Sequence, residues 1–158
     1  MAFICSQQWP NNKGHVLIIP RKHYENIYSL PDSLAGEINV MARKIAIAMK
    51  YAYHCDGSST RQHNEEHGDQ EVWHYHLHVF PRYRGDRLYE TLKGNIMAAP
   101  ERAAYADLLR FYLAREPQPL QVTLGERGPV PCLAFRTEDG KSFGGVRVIP
   151  EQGIKKAG

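Results

Sequence analysis

Three histidines stand at alternate positions in one short apolar run, His74-Tyr75-His76-Leu77-His78-Val79-Phe80. A β-strand sends successive side chains to opposite faces. A strand here therefore puts all three imidazoles on one face and Tyr75, Leu77 and Val79 on the other. The apolar face demands a packing partner. The imidazole face is poor core material and good chemistry, because histidine titrates near neutrality and binds metals and protons alike.

The rest of the chain supplies that packing partner. The apolar residues Leu34, Ile38, Met41, Ile45, Met49 and Ala52 follow the start signal Pro31-Asp32-Ser33 at steps of three or four, which predicts one face of a long helix ended near Gly57. β-formers at residues 2–7 and 15–19 predict two strands separated by the turn residues Pro10, Asn11, Asn12 and Gly14. Residues 59–64 predict a third strand, 65–69 a polar loop and 71–83 the histidine strand. A second helix is predicted from about Pro100, continuing through Leu108, Leu109, Tyr112 and Leu113. The order strand, strand, helix, strand, strand, helix predicts an α+β fold: an antiparallel sheet with the long helix packed on one face and a C-terminal helix. This domain is expected to occupy residues 1–115. Residues 116–158 are rich in proline and glycine, and read as an extension that is either flexible or built on short strands at 132–135 and 145–149.

Composition narrows the function classes. A formal charge of +3 over 158 residues is too small to argue for a nucleic-acid partner, and fits an anionic small molecule. Cys5, Cys55 and Cys132 form no Cys-x-x-Cys pair, so neither a disulfide framework nor a zinc ribbon is indicated. No apolar stretch approaches membrane-spanning length, and the N-terminus does not read as a signal peptide. The expectation is a reduced, cytoplasmic protein with no membrane partner.

Three roles are open to the histidines. Side chains two apart on a strand are about 6.6 Å apart, so His74 and His78 are about 13 Å apart at their Cα atoms and cannot share one ion with His76 between them. Two adjacent members with a ligand from elsewhere could hold a metal. Catalysis on an extended anion suits the spacing better: one neutral imidazole attacks phosphorus while a neighbour donates a proton. The bland alternative is three half-exposed sheet histidines without a role.

The segment Gln70-Glu71-Val72-Trp73-His74-Tyr75-His76-Leu77-His78-Val79-Phe80-Pro81-Arg82 resembles the signature of the histidine triad (HIT) superfamily of nucleotide hydrolases and transferases. A second block, Gly14-His15-Val16-Leu17-Ile18-Ile19-Pro20-Arg21-Lys22-His23, is similar to the family's glycine-histidine strand. The resemblance covers residues 2–113. Pro81-Arg82 and Gly85-Asp86 look closer to the fragile-histidine-triad, dinucleoside polyphosphate hydrolase branch than to the Hint branch.

The resemblance implies covalent nucleotidylation of His76, flanked by His74 and His78, which orient it and bind phosphate oxygens. It implies that His15 assists the leaving group, that Gln70 sits beside the scissile phosphate, and that Asn64 helps hold phosphate or ribose. No metal or cofactor is then required for the covalent step, although a polyphosphate substrate can arrive with Mg²⁺. The implied partners are a nucleotide or dinucleoside polyphosphate and a second copy of the chain in a homodimer. The alternatives are a non-catalytic nucleotide-binding module and a His-ligated metalloprotein. Family members usually carry a further helix and strand before the segment matching Ala2-Phe3, where part of the nucleobase pocket is built. That portion is expected to be missing, replaced or outside this sequence. Asp69 and Glu71 flank Gln70 where glycine and a small hydroxyl residue are common. Strand parity predicts that Glu71 points away from Gln70. His23, His54, His63 and His67 read as surface residues, Trp73 as core or interface, and Arg21, Lys22, Arg82 and Arg84 as a positive rim for phosphate.

Overall fold

A computed structural model of the chain describes residues 1–91, 94 and 96–115. Its elements are β1 (Ala2–Ile4), β2 (Val16–Ile18), α1 (Asp32–Tyr53), β3 (Gly57–Arg61), β4 (Leu77–Arg82) and α2 (Ala99–Leu113). The strands form one antiparallel sheet in the order β1-β2-β4-β3. This is the predicted α+β arrangement. The expected strands at 132–135 and 145–149 lie outside the described residues.

The sheet covers α1 with its odd-numbered β4 face. Tyr75, Leu77 and Val79 are buried, as alternation predicts, and they join Val16, Ile18, Ile38, Ala42, Ile45, Ala48 and Met49 in one core. Removing this apolar surface from water is the main force holding helix to sheet. The predicted helix face is right in direction and drifts at one position: Met41 is exposed, and Ala42 is buried in its place. Small residues at 42 and 48 let the helix approach the sheet closely. The helix ends at His54, in the left-handed conformation (φ 52°), rather than at Gly57, which opens β3. α2 begins at Ala99 with Pro100 in its first turn and buries Leu109 against the same core.

The histidine strand is shorter than predicted, and the reason is visible in its neighbour. β2 pairs with β4 only as far as Ile18 opposite Leu77. Beyond that, Pro20 is the next residue whose backbone faces β4, and it has no N–H to offer; the Ile19 N–H points to the other side of β2 and bonds the Met1 carbonyl (2.9 Å), continuing the pairing with β1. The chain at 72–76 therefore bends: His74 N donates to Val72 O (2.9 Å), and Tyr75 N donates to Tyr24 O (2.6 Å). His78 lies on the strand, while His74 and His76 precede it.

The turn before β2 is fixed by a buried glutamine. Gln8 accepts from the amides of Gly14 (2.8 Å) and His15 (3.1 Å) and donates to Cys5 O (2.6 Å). Gly14 has φ 86°, and a Cβ there would meet Tyr105 Cδ1 at 2.6 Å, so both backbone and space require glycine.

Candidate active site

The second face of the sheet carries the chemistry. On this face His78 and Phe80 of β4 meet His15, which immediately precedes β2, and Arg61 at the end of β3. The His15 ring stacks on Phe80 (centroids 4.6 Å, 18°) and on His78 (5.4 Å, 23°), and Trp9 meets all three edge-on. Trp9, Phe80 and Leu88 form a second buried cluster, separate from the main core. A cleft of about 550 Å³ opens over it. His76, His78, His63, Arg61, Trp9 and Gln70 line it, together with the carboxylate residues Glu66, Asp69 and Glu71 and the loop residues Leu88, Tyr89 and Thr91.

The bend before β4 gives His76 its setting. Its Nδ1 lies 2.8 Å from the His74 carbonyl oxygen. A carbonyl only accepts, so Nδ1 carries the proton and Nε2 keeps its lone pair. Nε2 has no hydrogen-bond partner among the described residues. The ring stands edge-on to His78 at 5.1 Å.

The tautomers of the buried pair follow by similar reasoning. His78 Nδ1 and His15 Nε2 are 3.3 Å apart, and His15 Nδ1 is buried without a partner. Burying a bare lone pair costs less than burying an unpaired N–H. His15 Nε2–H then donates to His78 Nδ1, which leaves the His78 proton on Nε2. His78 thus presents a donor and His76 a nucleophile at one cleft.

Both rings of the buried pair are held neutral. Burial, followed by the charge of Arg61, pushes His15 down to about 3. Burial again comes first for His78, followed by His15, His76, Arg61 and His63, and its pKa is lowered as well. An unfolded histidine titrates near 6.5. Below that pH the unfolded chain binds protons that the folded chain refuses, so stability is level above about pH 7 and falls as pH drops toward the folded values. From pH 7.5 to 5, His15 alone is expected to cost about 2 kcal/mol, seen as an earlier urea midpoint at unchanged slope. A midpoint that rises over this range contradicts buried neutral rings.

The other expected site residues are placed as follows. His74 turns from the cleft: its Nε2 donates to Pro20 O (3.2 Å), and its Nδ1 meets His23 Nδ1 (3.1 Å). Gln70 precedes the strand in a loop, so strand parity does not apply to it. It lines the cleft while tying the loop together, accepting from Glu65 N (2.8 Å) and donating to Glu25 O (2.6 Å) and Val72 O (3.1 Å). Asn64 accepts from Ile27 N (2.9 Å), pairs with Gln62, and is not among the cleft-lining residues. His15 is fully buried beneath Trp9 and His78 and reaches the cleft only through His78.

Several expectations are corrected. Glu71 lines the cleft instead of pointing away, because the chain is bent there. His63 belongs to the cleft, its Nδ1 bound to Gly68 O at 2.6 Å. His23 is the partner of His74. Trp73 is half exposed, which removes the core alternative of its expectation and leaves the interface alternative. None of the four basic residues expected at the rim lines the cleft: Arg82 is paired with Asp86, Lys22 lies over Tyr24, and among the described cleft-lining residues the permanent cation is Arg61. Trp9, Gln8 and Arg61 carry no local signal, since each matters only through a partner distant in sequence. Among the described residues, no three His, Cys, Asp or Glu side chains are placed to hold one metal ion.

Known proteins share this architecture and these motifs. The chain is 43% identical to the Bacillus subtilis protein hit over 75 residues, 47% of this chain and 52% of that protein. It is 35% identical to the adenosine 5'-monophosphoramidase of Saccharomyces cerevisiae over 81 residues, 51% of this chain and 48% of that enzyme. It therefore spans about half the length of these curated relatives. The crystal structure of a HIT-like protein from Bartonella henselae superposes with a TM-score of 0.62 at 30% identity, covering 70% of this chain and 78% of that one. A family model described as the HIT domain matches residues 1–85, which takes in both histidine blocks and the whole sheet. With more than half of its length inside that match, this chain belongs to the HIT domain family.

Proposed function

We propose that this protein is a nucleotide hydrolase or transferase that works through a nucleotidyl-histidine intermediate on His76. One observation carries the reading: the His74 carbonyl holds the proton of His76 on Nδ1 and so leaves Nε2 as a free nucleophile at the cleft. In the first step Nε2 attacks the α-phosphorus, a P–N bond forms, and the bond to the leaving group breaks. In the second step water attacks phosphorus, the P–N bond breaks, and a nucleoside monophosphate departs with the ring restored. Donors around the phosphate, His78 Nε2–H among them, stabilise charge developing on its oxygens. His15 acts through His78, keeping its tautomer and position. His74 supplies the carbonyl that orients His76, and Gln70 and Asn64 hold the loops that frame the phosphate.

The substrate class is a phosphoanhydride or phosphoramidate of a nucleoside α-phosphate. The phosphoramidase activity of the yeast relative supports the second. The Pro81-Arg82 and Gly85-Asp86 resemblance to the fragile-histidine-triad branch supports dinucleoside polyphosphates. No cofactor enters the covalent step, and Mg²⁺ accompanies only a polyphosphate substrate. We propose a homodimer, which would cover the free edge of β1. Light scattering that shows only monomer at micromolar concentration removes that part.

Incubation with an adenosine phosphoramidate and with a diadenosine polyphosphate tests the activity. The expected result is release of AMP from at least one of them, unchanged by chelator. Binding of AMP without release from either would make the cleft a nucleotide-binding module. Activity lost with chelator and restored by zinc would make it a metal site.

A further inference from the structure

Arg61 is the group at the cleft that this chemistry leaves unused. It closes β3, where the antiparallel register sets it opposite His78 on β4. Its guanidinium carbon lies 4.9 Å from the Trp9 ring centre and 5.1 Å from that of Phe80, so two aromatic rings fix its position. Its Nε is buried and has no hydrogen-bond partner. The described ion pairs of Asp86, Glu90, Glu101 and Asp107 go to other cations. A guanidinium is a fork of five donors shaped for carboxylate or phosphate oxygens. Here that fork is oriented and partly desolvated, and its Nε is unanswered.

The charge balance of the cleft says which ligand answers it. His15 and His78 are neutral, so the buried pair brings no positive charge to a phosphate. Glu66 and Asp69 line the same cleft and repel an anion. Among the described cleft-lining residues, Arg61 is the side chain with a permanent positive charge. Its field is felt at both buried histidines, where it helps hold the rings neutral.

We infer that Arg61 is a phosphate-binding residue of this cleft, donating to a non-bridging oxygen of the phosphate that His76 attacks. This rests on the nucleotidyl-histidine reading and adds the group that recognises the substrate's charge. Arginine suits the task because its planar fork can make two parallel charge-assisted bonds, which set the orientation of the phosphate as well as its affinity.

The test compares AMP with adenosine, which differ by the phosphate alone, by calorimetric titration of the wild type, Arg61→Gln and Arg61→Lys. Arg61→Gln is expected to weaken AMP by about 10- to 100-fold while adenosine changes by less than about twofold. Arg61→Lys is expected to fall between wild type and Arg61→Gln for AMP. Unchanged AMP affinity in Arg61→Gln overturns the inference and leaves the His76 chemistry standing. An equal loss for AMP and adenosine also overturns it, because Arg61 then serves only to hold Trp9. If Arg61→Gln does not fold, Arg61→Lys decides: AMP weakened with adenosine unchanged supports the inference, and any other pattern overturns it. Failure of the wild type to bind AMP overturns both this inference and the reading beneath it.

Discussion

His76→Ala is expected to lower turnover by about 10⁴-fold or more while the protein still folds and binds AMP within a few-fold of wild type. The variant removes the only atom asked to form a bond to phosphorus. A displaced group cannot be replaced by its neighbours: His78 presents a proton at Nε2, and the His74 ring is committed to Pro20 O and His23. The groups proposed to hold the phosphate, His78 and Arg61, keep their contacts with His15, Phe80 and Trp9 on the sheet face when His76 is removed. The expected signature is thus a lost rate with ground-state binding retained, which separates chemistry from recognition. It is checked by steady-state kinetics on the substrate that wild type turns over, with AMP titration of the variant. Turnover at the wild-type rate rejects the nucleophile assignment.

The largest stability effect is expected at Asp86, outside the histidine blocks. This residue is 5% exposed and serves five donors. Arg82 approaches it through two nitrogens at 2.7 Å each, Asn12 Nδ2 at 2.8 Å, Tyr83 N at 2.9 Å and Leu88 N at 3.2 Å. Arg82 first, and then the other donors, hold its carboxyl well below the usual carboxylate range. Asp86→Ala deletes the acceptor that all of them share, leaving a partly buried guanidinium and three further donors to find water. The cost is expected to be about 3 kcal/mol, at the low end for a broken buried pair because Arg82 is one-quarter exposed and water can reach it. Denaturant unfolding of the variant checks this. A loss under about 1 kcal/mol would show the pair to behave as a surface ion pair. The sign with pH is fixed by the lowered pKa. The carboxylate's contribution is complete above about pH 4 and is lost as pH falls further, a decline that Asp86→Ala should lack. The same loop carries Leu88, Tyr89 and Thr91 to the cleft, so loosening it is expected to weaken binding as well as stability.

The features legible in the sequence are those set by local periodicity. Alternation placed Tyr75, Leu77 and Val79 in the core and His78 on the opposite face, because inward and outward directions on a strand follow from the backbone alone. The three-and-four spacing from Leu34 to Ala52 located α1, and the drift from Met41 to Ala42 is the small phase error expected when 3.6 residues per turn is read from a few apolar letters. The extent of β4 was not legible, since it depends on where β2 stops pairing. Pro20 decides that from more than fifty residues away, because it faces β4 without an N–H. The bend that results places His76 against the His74 carbonyl, brings Glu71 to the cleft and takes the His74 ring to His23. Trp9, His63 and Arg61 were out of reach for the same reason: strand pairing and side-chain stacking assemble them, and no spacing in the sequence records it.

The most direct measurement is alkaline quenching of the enzyme in mid-turnover with an adenosine phosphoramidate or diadenosine polyphosphate, followed by peptide mass spectrometry, because a phosphorus–nitrogen bond survives base. The account predicts that the peptide containing residues 74–78 carries one adenylyl group, fragmenting to His76, formed and lost at rates that match turnover. An active enzyme whose adenylyl group sits on another residue, or that turns over with no covalent adduct at any stage, would contradict it.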